Sequence, residues 1–171
     1  EPAIESDLVE EAKREADYTQ LLAAGKIEFQ GRAYNLSEIV KFREHADRGT
    51  RQDAERARWT WFAQNRPQLD AFYDRLVRLR TTMARTLGFS DFIGLGYKRM
   101  KRVDYGQADV ERFRAEVREH LVPLGAELRR RQAESLGLER LRFWDEAVHD
   151  VRGNPAPQGD HDWMIERARD M

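Results

Sequence analysis

The sequence predicts a mainly α fold with one small β-hairpin, and three observations lead there. Apolar residues recur every three or four positions over most of the chain, the period of a helix with one buried face. A single stretch, residues 26–34, alternates instead with the period of a strand. Charged residues make up 36% of the chain and mean hydropathy is −0.82. With aromatics at 10%, so much charge reads as solvated helix faces rather than disorder. At 171 residues the chain suits one unit with its own core.

From Ser6, the residues Leu8, Ala12, Ala16, Thr19 and Ala23 repeat at helical spacing, and Gly25 is the stop. Ile27 and Phe29 then share one strand face, with Gln30-Gly31 as the turn of a hairpin that must dock on something to persist. Asn35 and Glu38 form a capping-box pair ahead of a helix with Leu36, Ile39, Val40 and Phe42 inward, broken at residues 47–49. Thr50 and Asp53 repeat the device for a helix carrying Ala54, Ala57, Trp61 and Trp59. At Asn65-Arg66-Pro67 the pattern predicts either a fresh helix, with Asn65 and Gln68 as caps, or a kink. Leu69, Phe72, Leu76, Leu79, Met83 and Leu87 follow as a buried stripe, completing a helical hairpin.

Residues 88–105 are a joint between this block and the next. Gly88 ends one helix, Ser90 is placed to cap a short new one, and Gly94 and Gly96 permit close backbone approach. Phe89, Phe92, Tyr97 and Tyr105 crowd the joint, and the plain structural reading is a buried turn packing two helices. A long helix from Gln107 or Ala108 then carries Val110, Phe113, Val117, Leu121, Leu124 and Leu128, and Pro123 inside it predicts a kink over residues 119–123. Arg129, Arg130 and Arg131 form its solvated end, and Leu136-Gly137-Leu138 closes it. Residues 141–145 predict a short strand or buried connection, residues 153–160 a loop, and Asp160 caps a last helix through Trp163, Met164 and Ala168.

The order of residues at the joint is more specific than its composition. Leu87-Gly88-Phe89-x-x-Phe92-x-x-Leu95-Gly96-Tyr97-x-x-Met100-x-Arg102-x-Asp104-Tyr105 resembles the segment ahead of the zinc motif in the oligoendopeptidase F metallopeptidases. Two further runs carry the same resemblance: Glu28-Phe29-x-Gly31-x-x-Tyr34-Asn35-Leu36, and Gly153-Asn154-Pro155-x-Pro157-x-Gly159-Asp160-x-x-Trp163. Gly94 stands where that family commonly has an acidic residue, and His161 where it has proline. The resemblance runs along essentially the whole chain. It implies that residues 1–171 are a single helical unit, the incomplete middle portion of a larger zincin-type oligopeptidase fold.

What the resemblance implies for chemistry is zinc-dependent hydrolysis of short peptides in the cytoplasm, with the remainder of the parent chain and an oligopeptide as partners. The joint would then line the substrate channel, with Tyr97, Arg102, Asp104 and Tyr105 as candidates, while the zinc ligands and the catalytic glutamate lie beyond Met171. The plain alternative for Arg102 and Asp104 is an ion pair tying the joint to the next helix, with Asp104 at its positive N-terminus.

Other chemistries find no support in the residues. A zincin needs two histidines at i and i+4 on one helical face, and His45, His120, His149 and His161 are scattered over different predicted elements, so the chain itself is expected to bind no metal and to be inactive. Gly-x-Ser-x-Gly and phosphate-loop motifs are absent. Neighbouring acids such as Glu10-Glu11, or Asp104 with Asp109, are expected to be solvated. With no cysteine there is neither a disulfide nor a thiolate nucleophile. A net charge of −1 and arginines interleaved with acids argue against nucleic acid, and the absence of a long apolar run argues against a membrane span.

The chain lacks an initiator Met and stops while a helical pattern is still running, which predicts an excised piece with uncovered apolar surface after Asp160 and around Trp144, prone to self-association. The rival reading is a stand-alone helical interaction module offering a groove to a partner helix.

Overall fold

The computed structural model describes residues 2–155 and 158–171. Its spine is one long helix, α2 (Arg48–Thr86), against which α1 (Glu5–Ala23), the hairpin β1 (Ile27–Phe29) and β2 (Arg32–Tyr34), a 3₁₀ segment (Glu38–Glu44) and α3 (Phe92–Arg99) all pack. Beyond the joint come α4 (Gln107–Glu116), a π-helical turn (Val117–Leu121), α5 (Val122–Ser135), a 3₁₀ turn (Phe143–Asp145) and α6 (His161–Arg169). The expected mainly α architecture with one antiparallel hairpin is what the chain adopts.

Two apolar clusters sit at opposite halves of α2. Near its C-terminal end Met83 and Ala84 meet Ile4 and Leu95, with Leu8, Leu79, Leu87, Phe89 and Phe92 around them. In its N-terminal half Ala54 and Trp61 meet Ile27 and Ile39, with Leu21, Leu22, Phe29 and Phe42 closing over them. Burying side chains as large as Ile39 or Met83 contributes roughly 1.5 to 3 kcal/mol each. The hairpin pairs Ile27 with Tyr34 and Phe29 with Arg32 about a Gln30-Gly31 turn, whose residues both have positive φ, so Ile27 and Phe29 face the cluster as their alternation requires.

The caps show where local chemistry decided the boundaries. Asn35 and Glu38 make the reciprocal pair of a capping box, Asn35 N–H to Glu38 Oε2 and Glu38 N–H to Asn35 Oδ1, each at 2.8 Å. The helix it opens is a 3₁₀ segment, however, in which Val40 points outward. The next helix starts at Arg48 rather than Thr50, because Asp47 Oδ2 accepts from both Thr50 N–H at 2.7 Å and Thr50 Oγ1 at 2.8 Å. Gly88 ends α2 at φ 81°, and Phe89 N–H donates back to the Ala84 carbonyl at 2.9 Å in a Schellman turn. Asp91, not Ser90, then caps α3, accepting from Ile93 N–H at 2.8 Å. A side chain at Gly94 would stand 2.9 Å from the Phe89 ring, so that ring occupies the space an acidic residue would need.

Pro67 neither starts a helix nor divides one. α2 is continuous over 39 residues, so the expected helical hairpin is replaced by a single rod of about 58 Å. Its proline is exposed, and the helix tolerates the missing donor because both ends are anchored by the two clusters. Pro123 behaves differently. The five residues before Val122 form a π turn, which interrupts the i→i−4 ladder in the region where the kink was expected. Residues 141–145 form neither a strand nor a wholly buried connection: they end in a 3₁₀ turn in which Asp145 is buried, Leu141 and Trp144 are half-buried, and Arg142 and Phe143 are exposed. Asp160 caps α6, accepting from Trp163 N–H at 2.9 Å; Ala156 and Pro157 of the preceding loop lie outside the described residues.

Three buried carboxylates, each held by two arginines, lock these pieces together. Glu11 of α1 receives Arg80 of α2 at 2.7 Å and Arg99 of α3 at 2.7 Å. Glu55 receives Arg43 at 2.9 Å and Arg58 at 3.9 Å, tying the 3₁₀ segment to α2. Asp145, fully buried, receives Arg48 at 2.8 Å and Arg51 at 3.0 Å, and its Oδ2 also accepts from Arg142 N–H at 3.0 Å. Glu11 is therefore the opposite of the solvated acid the sequence suggested. The reason is that α1 turns Leu8, Glu11, Leu21 and Leu22 inward and leaves Ala12, Ala16, Thr19 and Ala23 in solvent.

Candidate functional site

The joint inherits its geometry from this frame. Asp91 fixes the start of α3, Glu11 holds its last residue through Arg99, and Leu95 and Phe92 seat its inner face in the cluster at the end of α2. Burial by itself opposes charge on Glu11, but hydrogen bonds from Arg99 and Arg80 outweigh it and hold the carboxyl below its ordinary range. Asp145 is depressed on the same balance, burial being overcome by Arg48, the Arg142 N–H and Arg51. Both groups remain ionised and structural rather than poised for proton transfer.

At its C-terminus α3 closes on Lys101, a non-glycine residue at φ 56°. Lys101 N–H donates to the Lys98 carbonyl at 2.9 Å and Arg102 N–H to the Tyr97 carbonyl at 3.0 Å, a Schellman turn that folds Arg102 back over its own helix. The guanidinium of Arg102 comes to rest 5.4 Å from the ring of Tyr97 and 5.8 Å from that of Tyr105. The two tyrosines meet edge to face with centroids 6.3 Å apart. Tyr97 and Arg102 are half-buried and Tyr105 is exposed, so the patch is open on one side.

Three of the four residues marked in the sequence are thus brought together. Asp104 is not among them: it is exposed, and among the described residues it forms no ion pair with Arg102 or any other cation. Asp109, not Asp104, takes the role at the start of α4 that was expected of Asp104, accepting from Gly106 N–H at 2.8 Å, and that contact, ahead of nearby Arg112, holds its carboxyl below its ordinary range. The spacing Asp109-to-Gly106 was legible as a cap, but the apparent Arg102-x-Asp104 pair masked it.

The histidines are dispersed. His45 Nδ1 accepts from Asp47 N–H in the turn before α2, and His120 lies 3.3 Å from Glu116 on the surface of the π turn. His149 lies in the segment after the 3₁₀ turn, and His161 opens α6. Among the described residues no three of His, Asp and Glu converge as a metal site. His149 does border a depression of about 440 Å³ beside α5, with Arg43, Leu128, Arg129, Gln132 and Glu146, but Arg129 and Glu146 there pair with each other at 2.9 Å. Arg130 and Arg131 are likewise engaged by Glu127. No helix among the described residues is long and apolar enough to cross a membrane.

Comparison with known proteins agrees with the joint's residue order. Comparison with curated proteins returned no match. Among solved structures, PZ peptidase A in complex with an inhibitor is 42% identical, with a TM-score of 0.93 over 99% of this chain. A chain described as an oligoendopeptidase F is also 42% identical, with a TM-score of 0.94 over 99%. Another so described, from Bacillus anthracis strain Ames, is 41% identical with a TM-score of 0.88 over 96%. This chain spans 30% of the length of each of those structures. The model of peptidase family M3 matches residues 41–153, which include α2, the joint and the Asp145 lock. The chain belongs to peptidase family M3, on the side of that family represented by the oligoendopeptidases F.

Proposed function

We propose that this chain is the middle portion of a zinc-dependent oligoendopeptidase that hydrolyses short peptides in the cytoplasm. The observation that carries the reading is 42% identity sustained over 99% of the chain to a described oligoendopeptidase F. In this reading the chain contributes scaffold and channel wall: α2 and the carboxylate locks hold the joint, and Tyr97, Arg102, Asp104 and Tyr105 face the substrate. The described residues do not fit a zinc site, since their histidines lie on separate elements, and no hydrolytic step is assigned to them. The metal ligands and general base belong to a His-Glu-x-x-His helix in the longer protein.

The test uses a quenched fluorescent oligopeptide with zinc. The full-length peptidase should cleave it in a chelator-sensitive way, and mutation of the motif glutamate should abolish turnover with zinc still bound. Chelator-sensitive cleavage by residues 1–171 alone would overturn the assignment of the chemistry to the rest of the protein. A second reading, a helical interaction module, draws on the exposed apolar residues Phe113, Leu121, Leu124 and Leu128. The length of the encoded reading frame separates the two.

A further inference from the structure

Six arginines are withdrawn from solvent among the described residues: Arg14, Arg43, Arg51, Arg58, Arg80 and Arg102. Five of them hold a carboxylate, on Glu10, Glu55, Asp145, Glu55 and Glu11 in turn. Arg102 is the exception. Its contacts are the faces of Tyr97 and Tyr105, and the nearest acid in sequence, Asp104, leaves it alone. Aromatic faces compensate the flat sides of a guanidinium but leave its in-plane N–H donors to be satisfied from elsewhere.

The arrangement is also built before anything binds. The left-handed Lys101 and the Arg102 N–H to Tyr97 carbonyl bond fix the backbone from which the side chain springs, and the rings restrict its rotamers. Ordering that would otherwise oppose association has already been met in folding. A planar fork with free donors, stacked and open on one side, matches the two oxygens of a carboxylate.

We propose that Arg102, framed by Tyr97 and Tyr105, is a subsite that reads a carboxylate of the bound peptide. The carboxylate is either the C-terminal group of a short peptide or the side chain of an acidic residue. This rests on the peptidase reading above, and gives the channel wall a chemical selectivity.

The experiment uses the full-length peptidase and its Arg102→Met and Arg102→Lys variants. Two matched pairs of peptides share one cleavage sequence: a C-terminal acid with its amide, and an internal Glu with its Gln counterpart. KM is measured for each, with competition binding by fluorescence anisotropy as a readout independent of turnover. The wild type should favour the charged member of one pair by about 10- to 100-fold, the worth of a charge-assisted hydrogen-bond pair. Arg102→Met should collapse that ratio to near one, and Arg102→Lys should leave a smaller ratio, because the point charge lacks the fork. The pair that collapses identifies the source of the carboxylate. A wild type indifferent within both pairs, or a ratio that survives in Arg102→Met, would overturn the proposal. So would an unaltered ratio with a lowered denaturation midpoint, which would assign the guanidinium to an acid elsewhere in the longer protein. If no peptide is cleaved but binding shows the ratio, the subsite stands and the peptidase reading fails.

Discussion

Glu11 accepts from both terminal nitrogens of Arg99, Nη1 at 3.0 Å and Nη2 at 2.7 Å, and so joins the first helix of the chain to the last residue of α3. Arg80 completes the site from α2 at 2.7 Å. One buried carboxylate therefore sets the relative placement of three helices, and with it the platform from which the Tyr97, Arg102 and Tyr105 patch projects.

Glu11→Ala should destabilise the fold by about 2 to 4 kcal/mol, because it strands two arginines. Their partial exposure keeps the cost below that of a fully buried pair. The carboxyl's pKa is lowered by folding, so its contribution is complete above the ordinary value of 4.5 and is lost as pH falls through the lower folded value. Chemical denaturation at stepped pH is the check. The wild type should lose stability below about pH 4.5 more steeply than the variant; parallel curves would remove Glu11 from the acid response.

Pro67→Ala should raise stability by about 1 to 3 kcal/mol. Pro67 is exposed in the interior of a continuous α2, so its ring contributes no core packing and its missing N–H leaves the Ala63 carbonyl without an intrahelical donor. A lower denaturation midpoint in the alanine variant would mean that the proline shapes the helix rather than merely being tolerated by it.

Asp104 and Asp109 make a contrast that is informative because they are five residues apart and chemically alike. Asp104→Ala should change stability by no more than about 0.5 kcal/mol, being exposed and unpaired among the described residues. Asp109→Ala should lower the denaturation midpoint measurably through loss of the Gly106 N–H contact at the start of α4. The reverse ranking of denaturation midpoints would restore the Arg102–Asp104 tie expected from spacing.

Apolar spacing made the helices legible, and the Leu69 to Leu87 stripe lies inward as its period demands. Hairpin register followed from alternation and the Gln30-Gly31 turn. At two places the local pattern is overridden by long-range charge pairs. The α1 stripe failed because the buried face contains Glu11, whose arginine partners lie 69 and 88 residues away. Asp145, likewise, has its partner Arg48 97 residues upstream. Nothing in local spacing announces such partners. The Arg102 patch was partly legible as a cluster of types, but its defining feature, a half-buried arginine without an acid, exists only once every other pairing has been placed.

The final prediction concerns the face of α4 and α5. Val110, Phe113, Val117, Leu121, Leu124 and Leu128 step by three or four residues as a core-facing stripe would, yet Phe113 is 67% exposed and Leu121, Leu124 and Leu128 are each more than half exposed. On α6, Trp163, Met164 and Ile165 are exposed too, as is Phe143 beside Trp144, in the regions where uncovered apolar surface was expected. The peptidase reading proposed above assigns the covering of these faces to the rest of the parent chain. Isolated, residues 1–171 should instead associate with themselves, since a contiguous apolar stripe in water gains roughly 25 cal/mol for each Å² it buries. Sedimentation velocity across a concentration series should show a rising average mass. Phe113→Glu with Leu121→Glu should shift the association to higher concentration without lowering the denaturation midpoint, because neither side chain contributes to the two buried clusters. A monomer at every concentration would show that the stripe is too weakly apolar, among its flanking charges, to act as an interface.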